Sequence, residues 1–238
     1  MDVNIMIDLK DISFGYSSES LILNKLNFKL FKGSRIGLTG SNGSGKTTLL
    51  HIIMGLVKPL SGRLKIFDRQ VNEEKDFLPV RRKIGLLFQD ADDQLFSPTV
   101  LEDVAFGPLN LGKTREEAIE ISLKTLEYLG LKGFEEKITF KLSGGEKRLV
   151  SLATVLAMKP KILLLDEPTT GLDDKTKSRL MEVLLNLDLS YIIISHEIDF
   201  LLKTTDHIYA LKNGKTSLKT DLHTHIHSHP HINHKRTV

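Results

Sequence analysis

The stretch GSNGSGKT, Gly40 to Thr47, has the spacing G-x-x-x-x-G-K-[ST] that suits a polyphosphate. Glycines let the backbone curl, so that successive N–H groups across Gly40, Ser41, Asn42, Gly43, Ser44 and Gly45 point inward at phosphate oxygens. Lys46 brings a full positive charge to the β- and γ-phosphates. Thr47 offers a hydroxyl to Mg2+, and Thr48 belongs to the same nucleotide-binding set. The motif follows a short strand, SRIGLTG, and precedes a helical pattern ending near Gly55, which is the context it needs. The start of that helix adds partial positive charge at the same place.

A second pair of chemical groups ends the apolar run ILLLDE. In open α/β sheets, ligands gather at the C-terminal edge of the strands. Adjacent acids diverge where a strand ends, so Asp166 and Glu167 can do different work. Asp166 suits the Mg2+ shell, and Glu167 suits a base that orients and polarises an attacking water. Alone, such a pair is usually a solvated cap. Beside a phosphate loop the chemical reading is the stronger one.

Several elements must hold these groups in place. IMIDLKDISFGY and LILNKLNFKLF read as strands of mixed alternation with a turn between Ser17 and Ser20. GRLKIFD and KIGLLFQ read as further strands. From Thr99 the pattern is helical. An amphipathic helix over Thr114 to Leu129 is predicted to bury Ile119, Leu123, Leu126 and Leu129. Lys147 to Met158 repeats the pattern with Leu149, Leu152 and Leu156. Strand KILLLDE, helix Asp174 to Leu187, strand YIIIS, helix Ile198 to Thr204 and strand HIYALKNGK follow. Continuously apolar strands alternating with helices predict a parallel sheet covered on both faces, whereas the early strands without helices predict an antiparallel lobe.

The segment LSGGEKR, Leu142 to Arg148, lies just before the helix that leads to LLLDEPTTGLD. With the phosphate loop and the strand-end acids, in this order, it resembles the ABC-type ATPases over about Ile7 to Gly214. The resemblance implies an α/β phosphate-loop NTPase with a mixed, largely parallel sheet core, an antiparallel β lobe and a helical signature lobe at about 90–158. It also implies roles. Tyr16 in FGY would stack on adenine. Gln89 in LLFQ would contact Mg2+ and water. Asp173 in TGLD would lie on the loop across a dimer. His196 in IISHE would touch the γ-phosphate, beside the catalytic Glu167. Each of these residues alone has an ordinary structural explanation; their joint order does not. In the family the signature acts in trans, so Ser143, Gly144, Gly145 and Glu146 would meet ATP held by a second ATPase subunit.

The run FQDADDQLFSPTVLEDVAFGPLNLG, Phe88 to Gly112, is similar to the energy-coupling-factor importers, closest to their cobalt/nickel ATPases. That likeness implies transmembrane coupling and substrate-binding subunits as partners, with Phe96, Pro98 and Val100 as docking contacts. It places the chain on the cytoplasmic face of the membrane. Six of the chain's 9 histidines, His223, His225, His227, His229, His231 and His234, crowd the C-terminal segment 218–238, which follows an ATPase domain at 1–217. Residues two apart in an extended chain share a side, and imidazole suits Ni2+, Co2+, Zn2+ and Cu2+. The tail reads as a site for the imported metal or as an incidental solvated end.

Composition narrows the classes. Cysteine is absent, so disulfide and thiolate chemistry are excluded. The N-terminal residues lack a secretory pattern, and no run reaches the ~18 apolar residues of a spanning helix. A net charge of +3 is too small to argue for a nucleic-acid partner. A vitamin importer of the same branch, a non-transport ABC ATPase and a metal-storage protein with a vestigial ATPase remain the rival readings.

Overall fold

The central strands explain the architecture. The computed structural model describes residues 4–17 and 20–221. β1 (Ile5–Phe14), β2 (Leu23–Phe31), β4 (Ser61–Ile66) and the short β5 (Arg69–Gln70) form an antiparallel sheet in the order β2-β1-β4-β5. A six-stranded sheet combines β3 (Arg35–Thr39), β6 (Ile84–Leu87), β7 (Ile162–Asp166), β8 (Ser190–Ile194), β9 (His207–Lys212) and β10 (Lys215–Asp221) in the order β10-β9-β3-β8-β7-β6. All its pairings are parallel except β9 with β10.

Every residue of β7 and β8 is buried, because both faces of this sheet are covered. The two-residue period of a strand divides the side chains. Ile162, Leu164, Ile192 and Ile194 face a core shared with the antiparallel sheet and α1 (Lys46–Met54). Leu163, Leu165, Tyr191 and Ile193 face a second core. That core is shared with α3 (Val100–Asn110), α4 (Arg115–Tyr128), α5 (Gly144–Ala157), α6 (Asp174–Asn186) and α7 (Ile198–Thr204). α3, α4 and α5 pack on one another as the expected helical lobe.

Several local expectations need correction. In α4 the buried side is Ala118, Ser122 and Leu126, followed by Leu129, while Leu123 is 40% exposed. Ser122 can be buried because its hydroxyl donates to the Ala118 carbonyl at 2.7 Å. A polar residue that satisfies itself within the helix thus took the place given to leucine. The helix α2 (Glu74–Arg81) was not predicted; it buries only Phe77 and Val80 and contains Pro79. β10 was also missed. It is an edge strand whose residues Leu218, Thr220 and Asp221 pair with Tyr209, Ile208 and His207, so the sheet runs past the predicted boundary at 217. The six tail histidines lie outside the described residues.

Candidate active site

α1 starts where β3 ends, and the phosphate loop is the turn between them. Gly45 is its N-cap, with φ 99° and no side-chain cap hydrogen bond. A side chain there would put Cβ 2.7 Å from Ile22 Cγ2, so only glycine fits the turn against β2. Gly40 is equally confined, since a Cβ would lie 2.6 Å from the Leu211 carbonyl oxygen. Lys46 is buried, and its ammonium donates to the carbonyls of Gly40 at 2.8 Å and Ser41 at 3.1 Å. The loop therefore keeps a full cation at its mouth.

A cleft of about 550 Å³ opens beside this loop. Tyr16, Lys46, Thr47, Gln89, Asp166, Glu167 and His196 all line it. The structure thus gathers residues as far apart in sequence as Tyr16 and His196 into one place. Tyr16 is 69% exposed, makes a T-shaped contact with Phe14 and has its hydroxyl 3.3 Å from Thr48 Oγ1. Asp166 is buried, and burial raises its carboxyl above the ordinary range; the Thr47 hydroxyl and the charges of His51, Lys46 and Arg148 oppose that rise. Glu167 has a left-handed backbone, φ 45°, uncommon for a residue other than glycine, and its side chain lines the same cleft. Glu167 Oε2 accepts from the His196 N–H at 3.3 Å, and His196 Nε2 stands 3.1 Å from Oε1.

Two carboxylate oxygens of the cleft lining, Asp166 Oδ1 and, apart from its neighbour His196, Glu167 Oε1, are buried with no hydrogen-bond partner among the described residues. Buried polar atoms are rarely left so, and here they cluster where a charged ligand would sit. The hydroxyl of Thr47, the carboxylate of Asp166 and the amide of Gln89 are hard oxygen donors of the kind Mg2+ prefers.

No residue of Leu142–Glu146 lines this cleft. α5 begins one turn earlier than predicted, at Gly144, with Ser143 as N-cap. Ser143 Oγ accepts from the Glu146 N–H at 3.3 Å, and Glu146 Oε2 accepts from the Ser143 N–H at 2.8 Å. This capping box leaves the serine proton available to an acceptor. Asp173 is the N-cap of α6. It accepts from the Thr176 N–H at 2.8 Å, and this bond holds its carboxyl below the ordinary range.

Several contributors escaped the sequence reading. Arg148 is buried, and its guanidinium donates to the Phe88 carbonyl at 2.6 Å and to that of Gln89. Gln94 accepts from the Phe88 N–H and donates to Ser151 O and Thr154 Oγ1, each at 2.8 Å. Lys147 pairs with Asp92. The segment carrying Gln89 is therefore fastened to the signature helix. One signal was available: Arg148 shares a helical face with Leu152 and Val155, both buried. Of the proposed docking residues, Phe96 is 67% exposed and stacks edge-on with Phe106 at 4.8 Å. Pro98 is exposed. Val100 is fully buried in the second core, so it cannot be a docking contact.

Comparison with known proteins defines the class. The family model for ABC transporters matches residues 23–170. The chain belongs to that family and is an ATPase. Energy-coupling factor transporter ATP-binding protein EcfA of Methanothermobacter thermautotrophicus is 42% identical over 214 residues, covering 88% of this chain and 69% of the relative. Among solved structures, cbiO1 of Clostridium perfringens, part of the ABC transporter complex cbiONQ, aligns with a TM-score of 0.83 at 33% identity, over 93% of this chain and 90% of that one. A dimeric ATP-binding cassette in a post-hydrolysis state, bound to ADP and Pi, aligns at 0.84 with 29% identity, over 91% and 99%. Within the family the chain is an ATPase of the energy-coupling-factor branch. No described helix is long and apolar enough to cross a membrane.

Proposed function

We propose that this ATPase drives an energy-coupling-factor importer for cobalt or nickel ions, working as one half of a head-to-tail pair of ATPase subunits on the cytoplasmic face of the membrane. The observation that carries the chemistry is the single cleft in which Lys46, Asp166, Glu167 and His196 meet. In this reading Tyr16 stacks on adenine, the phosphate loop holds the β- and γ-phosphates, and Glu167 takes a proton from the attacking water. His196, already beside Glu167, steadies the γ-phosphate. Thr47, Gln89 and Asp166 would hold Mg2+, which when bound neutralises charge on the phosphates. The Ser143–Glu146 turn acts on the nucleotide of the other subunit, so ATP is part of the interface and its cleavage lets the pair open. Phe96 and Pro98 offer a docking edge to a transmembrane partner.

The metal cargo is supported by the run from Phe88 to Gly112 and by the spacing of the tail histidines. The rival cargo is a vitamin. Uptake by cells carrying this chain with its membrane partners separates the two: metal accumulation lost on Glu167→Gln supports the proposal, and vitamin-dependent growth lost instead overturns it. Removing residues 222–238 is expected to abolish Ni2+ retention by the purified chain while leaving ATP turnover unchanged.

A further inference from the structure

We propose that Lys137 is a positioning residue for ATP hydrolysis. It cancels the charge of Glu146 so that the Ser143–Gly145 turn can receive phosphate held by another subunit. The proposal rests on the two-subunit reading above and adds a residue to it.

The corner is electrostatically awkward. A carboxylate in the first turn of a helix stabilises that turn in isolation. At the start of α5 it is also a negative charge beside the place where a triphosphate must arrive. Glu146 cannot shed that charge easily. The Ser143 N–H, and then the Lys137 ammonium, hold its carboxyl below the ordinary range. A cation must therefore offset it when phosphate approaches.

Lys137 is the cation placed to do so. Its Nζ lies 3.1 Å from Glu146 Oε1 and 3.3 Å from the centroid of the Phe134 ring. The Phe134 ring is packed against the second core. The Lys137 carbonyl accepts from the Val100 N–H at 3.0 Å, which fixes the backbone to the start of α3. The ammonium is thus held by a carboxylate and a ring on a tethered segment. The cations on α5 have other partners: Lys147 is paired with Asp92, and Arg148 with the carbonyls of Phe88 and Gln89. The Lys137 pair is also the charged counterpart of Ser143, because Glu146 bonds both at once.

The test uses the full chain carrying Glu167→Gln, and reads the ATP concentration that gives half-maximal dimerisation by analytical ultracentrifugation. Lys137→Met is expected to raise that concentration about three- to fivefold, the scale of a partly exposed ion pair. Adding Glu146→Gln to Lys137→Met is expected to restore the parent value, and Lys137→Arg to keep it. ADP binding to single subunits should stay constant throughout. An unchanged midpoint in Lys137→Met overturns the proposal. So does a rise that Glu146→Gln leaves uncorrected, because Lys137 would then act only through its packing on Phe134. If the parent itself stays monomeric at saturating ATP, the two-subunit reading fails first and takes this proposal with it.

Discussion

Two helices of this chain begin in ways suited to an anion, and the two beginnings differ. α1 starts from a glycine with no side-chain cap, so its first N–H groups are bare and a buried lysine stands beside them. α5 starts from a serine whose oxygen is already engaged by its own helix, with a carboxylate and its partner lysine alongside. The first arrangement can grip a polyphosphate unaided. The second is satisfied by itself, and in the proposed pair it would contribute a hydroxyl proton and backbone donors to phosphate held by the other subunit. The contrast fits a division of labour between holding ATP and completing a site in a second subunit.

That division can be broken or sharpened by experiment. The largest effect is expected from Glu167→Gln, which removes the proposed base from the cleft beside the start of α1. Steady-state turnover should fall about 100- to 10,000-fold while ATP still binds; hydrolysis at the parental rate would remove Glu167 from its role. Lys46→Ala should weaken ATP binding to the single subunit about 10- to 100-fold, the scale of lost charged hydrogen bonds. Calorimetry showing unaltered affinity would contradict the phosphate-loop assignment.

Ser143→Ala should leave single-subunit affinity intact and slow turnover about tenfold, with a capping cost near ~1 kcal/mol. Equal loss of binding in that variant would erase the contrast between the two helices, and full-rate turnover by a strictly monomeric enzyme would do the same.

The smallest effect concerns stability. Burial raises the Asp166 carboxyl, so its ionised form costs free energy in the folded chain. The cost is absent at pH below the ordinary carboxylate range, grows as pH rises from that range to the raised value, and is constant above it. Asp166→Asn should therefore melt about 2–4 °C higher without nucleotide at neutral pH, on the scale of ~1 kcal/mol. The gain should vanish as pH is lowered toward ~4. Differential scanning calorimetry across that range checks both the sign and the window.

The site was more legible than its supports. Gly40 to Thr47 and Asp166-Glu167 announce themselves because phosphate chemistry demands particular residue types at fixed spacing. The apolar runs at Ile162 and Tyr191 reveal buried parallel strands for a similar reason: a strand covered on both faces cannot alternate. Val100 was misread because exposure of a loop-side valine depends on which helix it enters, and it enters α3 facing inward. Ser122 was missed as a core residue because its polarity is cancelled by a bond within its own helix. β10 carries little apolar signal because an edge strand is partly solvated.

Sequence alone settled the class of chemistry and most of the strands and helices around it, and it singled out the residues proposed to handle phosphate. Those follow from local rules of spacing, side-chain type and periodicity. Tertiary structure decided which groups support them: Arg148 and Gln94 holding the Gln89 segment, and Lys137 set against Glu146 on the Phe134 ring. Such partners are distant or irregularly spaced along the chain, and only the packing of the helical lobe on the sheet brings them within bonding distance.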